Sequence, residues 1–179
     1  GYATAGIYFE GWRWGTVLVY NNVFRIGYRA IYFKSDGTYI VANNTFYPIA
    51  AANTIDVAPW SGAATVTSRN NIEYLSAGPS CGGNTYNYGS SGQCCNSDSP
   101  PLCTTFTQSN ILNTDPKFLS TSDFRLQASS PAINAGNSTG LTQYYTTDKD
   151  DNARTGTWDI GAYEYVTYGS VGGGVTGAG

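Results

Sequence analysis

Glu10 and Lys34 lie 24 residues apart, the same interval that separates Ile7 from Ile31 and Ile31 from Ile55. A chain folded on that period puts the carboxylate and the ammonium in one column, with Asp36 and Asp56 close by. Glycoside hydrolysis uses a carboxylate pair, and uronate elimination uses a Lys or Arg base, so Glu10, Lys34, Asp36 and Asp56 are the catalytic candidates. The simpler reading of Glu10 and Lys34 on adjacent repeats is a surface ion pair. The chain has no His, no nucleophile elbow and no phosphate-cradling loop. The expectation is therefore a chain without catalysis, and a polysaccharide lyase or glycoside hydrolase is the alternative.

Other residue sets point to binding. Trp12, Trp14 and Trp60, with Tyr8 and Tyr32 in one column, form a candidate platform for sugar rings; repeated outward aromatics also serve as cross-strand stackers and interface residues. Asp148, Asp150 and Asn152 alternate as D-x-D-x-N, oxygen ligands of the kind Ca²⁺ takes. Ala153 and Asp159 stand where the calcium loop of an EF-hand has Gly and Glu, so the competing reading is an acidic turn organised by side-chain-to-backbone bonds. No other cofactor is implied. Cys81, Cys94, Cys95 and Cys103 cluster in a Gly/Ser/Pro-rich stretch with no His to join them, which favours disulfides in an oxidising compartment over zinc. Adjacent cysteines rarely bond each other, so Cys81 pairs with one of Cys94 and Cys95 and Cys103 with the other. Either arrangement fits. Two sequons occur, Asn43-Asn44-Thr45 and Asn137-Ser138-Thr139, and the second lies in a polar loop.

The elements that position these residues repeat. Gly15-Thr-Val-Leu-Val-Tyr-Asn-Asn-Val-Phe24, Gly37-Thr-Tyr-Ile-Val-Ala-Asn-Asn-Thr-Phe46 and Ala64-Thr-Val-Thr-Ser-Arg-Asn-Asn-Ile72 share one grammar: a β-rich run, then an Asn-Asn pair. Gly6-Ile-Tyr-Phe9, Ala30-Ile-Tyr-Phe33 and Thr54-Ile-Asp-Val57 form a second register. Strands that keep step while loops vary are the signature of a solenoid, here a parallel β-helix, in which each turn buries its inward side chains on the next. Period-2 alternation sends Ile7, Phe9, Ile31, Phe33, Ile55 and Val57 inward and Tyr8, Tyr32 and Asp56 outward. The Asn-Asn pairs suit the bends, because Asn tolerates left-handed backbone and stacked amides can form ladders. An antiparallel sandwich with hairpins at Asn-Asn is the rival, but it lacks Asn-Gly signals.

Composition narrows the class. Only 12% of residues are charged and 15% aromatic, with 22 Gly and no Met, the profile of an ordered, β-rich extracellular chain. A net charge of −3 offers no basic stripe for nucleic acid. No apolar run is long enough to span a bilayer, and no signal peptide is present. A start at Gly1 without Met fits a processed mature chain or the C-terminal piece of a longer one.

The C-terminal third carries a separate signature: Asn110-Ile-Leu-Asn-Thr-Asp-Pro-Lys-Phe118, Asp123-Phe-Arg-Leu-Gln127, Ser130-Pro-Ala-Ile-Asn-Ala-Gly136, Thr147-Asp-Lys-Asp-Asp-Asn-Ala-Arg154 and Asp159-Ile-Gly-Ala-Tyr-Glu-Tyr165. This series closely resembles the C-terminal end of secreted right-handed parallel β-helix repeat proteins, many of them bacterial surface proteins. The resemblance implies an all-β, right-handed parallel β-helix and an extracellular, secreted or cell-surface setting. It implies no one reaction, because the family includes polysaccharide-degrading enzymes, adhesins and proteins of no known activity.

The expected organisation is β-helix turns over 1–108 with a disulfide-stapled, Cys-rich insertion at 78–105, a closing segment over 109–165 and a Gly-rich tail over 166–179. Within the insertion, Asn84 to Tyr88 reads as another strand. Phe118, Phe124, Leu126 and Ile133 are expected to plug the open end of the core, as terminal repeats must, and Arg154 to pair with Asp159 or Glu164. The functional expectation is an extracellular structural, scaffold or adhesive protein that self-associates head to tail into a filament or surface layer. A polysaccharide-degrading fragment or a carbohydrate-binding β-helix is the alternative.

Overall fold

The computed structural model describes residues 5–11, 15–25, 29–47, 53–57, 64–74, 78–81, 91–95 and 103–167; at 53, 78–81, 91–95 and 103–106 the description is of the backbone. These residues are all-β, with no helix among them. The strands are β1 Ala5–Glu10, β2 Thr16–Tyr20, β3 Val23–Phe24, β4 Arg29–Lys34, β5 Gly37–Ala42, β6 Thr45–Phe46, β7 Asn53–Val57, β8 Ala64–Arg69, β9 Ile72–Glu73, β10 Gly78–Cys81, β11 Ser91–Cys95 and β12 Cys103–Ser109.

Successive strands are dealt in rotation to three sheets: β1-β4-β7-β10, β2-β5-β8-β12 with β11 added at the edge, and β3-β6-β9. Every pairing is parallel except β11 with β12. Three tiers (β1-β2-β3, β4-β5-β6 and β7-β8-β9) therefore stack in order, an arrangement consistent with a parallel β solenoid. The 24-residue interval is the register itself, since Ile7 pairs with Ile31 and Ile31 with Ile55.

Alternation fills the interior as expected. Ile31, Ile55, Phe33, Val57, Tyr39, Val41, Val66 and Phe46 form one buried cluster, with Ile7 and Phe9 packed against it. Phe24 stacks on Phe46 at 5.0 Å, and Phe33 on Tyr39 at 3.9 Å. Tyr39 turns its hydroxyl to Ser35 Oγ and to the Ser35 carbonyl oxygen, so the buried phenol is satisfied.

Each Asn pair makes a corner. The first member takes left-handed backbone at Asn21, Asn43 and Asn70, and Asn110 repeats it with φ near 52°. The second member builds a ladder: Asn22 Nδ2 donates to Asn44 Oδ1 at 3.1 Å, and Asn44 Nδ2 donates to Asn71 Oδ1 at 3.2 Å. The two members thus divide the work between bending the chain and joining the tiers.

The closing segment takes a different place from the expected end plug. It lies along the side of the tiers. Leu126, Ala132 and Ile160 pack with Ile72, with Phe118 and Ile133 at their margin; Ile72 is on the opposite face of its sheet from the Phe24–Phe46 column. Phe124 instead meets Tyr47, with ring centroids 5.2 Å apart. Leu141, Tyr145 and Trp158 cover Ala42, Leu18 and Ile40 on the outside of the second sheet. The corner asparagines hold this segment tier by tier. Asn21 Nδ2 donates to Thr147 O, Asn43 Nδ2 to Asp159 O, Asn70 Nδ2 to Asn137 O and Asn110 Nδ2 to Ala135 O. Residues 159–165 form no strand; a parallel ladder cannot continue where the partners are side-chain amides.

Candidate functional site

The outward face of the first sheet carries a set of polar and aromatic side chains in register. Because β1 and β4 are in register, Tyr8 lies beside Tyr32 and Glu10 beside Lys34. The Tyr8 and Tyr32 rings are 5.3 Å apart, and Tyr8 is 48% exposed. Lys34 Nζ stands 3.0 Å from Glu10 Oε1, while the Tyr8 hydroxyl donates to Glu10 Oε2 at 2.7 Å. Both carboxylate oxygens of Glu10 are thereby engaged.

The electrostatic consequences are directional. The Tyr8 hydroxyl first, and then Lys34, hold the Glu10 carboxyl below its ordinary value. Bonding to Glu10 raises both Lys34 and Tyr8. The carboxylate and the ammonium reinforce each other's charged forms, and the Tyr8 phenol is held in its neutral form.

One column over, Asp56 is fully buried, and Arg29 Nε lies 2.8 Å from its Oδ2. The Arg29 guanidinium also stands over the Tyr32 ring, 4.4 Å from its centroid. Asp56 pairs in register with Tyr32, so the column reads Tyr8, Tyr32, Asp56. Glu10 and Asp56 are separated by two tiers, roughly 10 Å in strand spacing alone. Asp36 falls in the turn between β4 and β5, where its carbonyl oxygen takes the Tyr39 hydroxyl at 3.2 Å. The fold thus brings Tyr8, Glu10, Tyr32, Lys34 and Asp56 to one face and sets Asp36 off it. Trp12, Trp14 and Trp60 lie outside the described residues, as do the side chains of Cys81, Cys94, Cys95 and Cys103 and the stretch from Asn84 to Tyr88.

The D-x-D-x-N stretch is a tight turn centred on one carboxylate. Asp148 Oδ1 accepts the backbone N–H groups of Asp150 and Asn152, each at 2.8 Å, and Oδ2 accepts Asn152 Nδ2 and the Glu164 N–H. Among the described residues, no group of three or more His, Cys, Asp or Glu side chains is placed to hold a metal ion.

Beside this turn, Arg154 is a hub. It pairs with Glu164, and also donates to the carbonyl oxygens of Thr147, Asp159 and Gly161 and to Asn21 Oδ1. Asp159 takes the N–H groups of Asn134 and Tyr165. Burial pushes the Asp159 and Glu164 carboxyls up, against the pull of their N–H donors and of Arg154. A buried, fully bonded cluster of this kind fixes structure.

Three features escaped the sequence reading. The Arg29–Asp56 pair joins residues 27 apart, off the 24-residue column. Glu73 pairs in register with Phe46, so a carboxyl continues the inward Phe24–Phe46 column; burial pushes it up to about 7. Aligning Asn44-Thr45-Phe46 with Asn71-Ile72-Glu73 would have located it. The third is a cleft of about 250 Å³ on the closing segment, lined in part by Leu119, Arg125, Asn152, Tyr163 and Tyr165; it forms where separate stretches of the segment meet, so no single stretch marks it.

No protein-family model, curated protein or solved structure matches the chain. No described helix is long and apolar enough to cross a membrane, which leaves membrane-crossing strands unaddressed.

Proposed function

We propose that this chain is an extracellular structural or adhesive scaffold, a right-handed parallel β-helix whose outer face presents stacked tyrosines and paired charges. The observation that favours a scaffold role over catalysis is that both oxygens of the Glu10 carboxylate are engaged, by Lys34 Nζ at 3.0 Å and by the Tyr8 hydroxyl at 2.7 Å. A general acid needs a raised carboxyl, and a catalytic lysine base needs a lowered ammonium. Here both move the other way. Asp56, the second carboxylate of the face, is buried against Arg29.

End-to-end association fits the same architecture. β1 and β2 are outermost in their sheets, and so is β3, so the rim they form presents strand edges of the kind that pair with further strands. At the other edge of the second sheet, β11 runs antiparallel to the stack, which breaks the parallel order. The β1-β2-β3 rim is open to a further tier from a second copy. Light scattering and negative-stain microscopy of the purified chain test this, and a monodisperse monomer removes it.

A carbohydrate-binding role is the second reading, supported by the exposed Tyr8 ring beside Tyr32. A panel of neutral and acidic polysaccharides separates the classes. The scaffold role predicts no turnover. Binding that is lost on Tyr8→Ala supports the carbohydrate reading, and turnover lost on Glu10→Gln would instead establish an enzyme.

A further inference from the structure

The fold treats the two Asn-x-Thr triplets in opposite ways. Asn43 is fully buried and wholly engaged: Nδ2 donates to the carbonyl oxygens of Asp159 and Gly161, and Oδ1 accepts the Tyr145 hydroxyl and Asn70 Nδ2. A sugar on Asn43 Nδ2 would break the clasp between the second tier and the closing segment. No folded chain can carry one.

Asn137 is exposed. Its Oδ1 accepts the Thr139 N–H at 2.9 Å, an Asx turn that folds the third residue of the triplet back onto the side-chain amide. Its Nδ2 makes no hydrogen bond among the described residues. The backbone beneath is fixed: Asn137 N donates to Asn70 Oδ1, Asn70 Nδ2 donates to Asn137 O, each at 2.9 Å, and Arg69 donates to Thr139 O at 2.6 Å. The bond that shapes the turn spans two residues, so it needs no other part of the fold. It is available to a chain still being made as well as to the finished one.

We propose that Asn137 is an N-glycan acceptor and that Asn43 is not. The Asn137 Nδ2 forms a bond to the anomeric carbon of a lipid-linked oligosaccharide and gives up one proton. The lipid pyrophosphate leaves with the electron pair of the broken C–O bond. A glycan there projects from the side of the stack, on a loop anchored to the third tier.

The test is secretion of the full chain from a eukaryotic host behind a heterologous signal sequence, with intact-mass and peptide analysis before and after enzymatic glycan removal. The expected result is one glycan on Asn137, lost completely in Asn137→Asp and in Thr139→Ala. Asn137→Asp keeps an oxygen for the Thr139 N–H, so its denaturation midpoint should equal that of the deglycosylated parent. A secreted, folded chain with Asn137 bare overturns the proposal, and so does a glycan found on Asn43. Neither result bears on the scaffold role, which is read from assembly and polysaccharide experiments on unglycosylated protein.

Discussion

Asn44 and Asn71 hold each other across two tiers through one oxygen: Asn71 Oδ1 accepts both the backbone N–H of Asn44, at 2.7 Å, and its side-chain Nδ2, at 3.2 Å. Asn44 Nδ2 also donates to the carbonyl oxygens of Val19 and Ala42. Its own Oδ1 serves Asn22 in the same double fashion. Removing the Asn44 amide strands buried donors and acceptors on three tiers. Asn44→Ala should destabilise the chain by roughly 2–4 kcal/mol. Asn22→Ala, at a less buried corner, should cost about 1 kcal/mol. Chemical denaturation measures both, and equal effects would contradict a ladder anchored at its buried middle.

Gly161 packs directly against the tiers. Its φ is +99°, and a Cβ there would lie 2.6 Å from Ile72 Cδ1 and 3.1 Å from Thr45 Oγ1. Gly161 N also donates to Asn70 O. Gly161→Ala combines backbone strain with overpacking and should cost roughly 2–4 kcal/mol. Limited proteolysis should then cut within the closing segment, 109–165, first, leaving the tiers intact for longer.

Glu73 predicts a pH dependence. Its folded value is raised to about 7 from an ordinary 4.5, by burial. The folded chain therefore holds a proton that the unfolded chain releases more readily. The stabilisation is complete below about pH 4.5 and fades as pH rises through about 7, by up to roughly 3 kcal/mol. Denaturation midpoints at pH 5 and pH 8 should differ in that sense. Glu73→Gln should flatten the difference while keeping a polar partner for Gln108, whose Nε2 stands 3.4 Å from Glu73 Oε1.

The tiers were legible because their signal is periodic. Ile7, Ile31 and Ile55 recur at the interval the backbone imposes, and the Asn pairs mark each bend. The Glu10–Lys34 contact could be placed from that interval alone. The closing segment was not legible in the same way, although its apolar residues were identified. Phe118, Phe124, Leu126 and Ile133 are set in irregular chain, and what locates them is a set of amide-to-carbonyl bonds from Asn21, Asn43, Asn70 and Asn110. A carbonyl acceptor is present at every residue, so sequence carries no mark of which one an asparagine will choose. Arg29 and Asp56 were hidden for a related reason, since a long side chain reaches off its own column.

The asparagine clasps make the closing segment a gauge of stack height. Four corner residues, on successive turns of chain, meet four backbone positions in a segment of fixed length, and Arg154 reaches from that segment to Asn21 on the first tier. Solenoids ordinarily gain or lose a repeat at small cost, because each repeat contacts only its neighbours. Here, inserting or deleting one tier would put every clasp beyond it out of step with its acceptor. The number of tiers between the clasps is therefore locked, and evolution within that span should proceed by changing side chains on the tiers it holds.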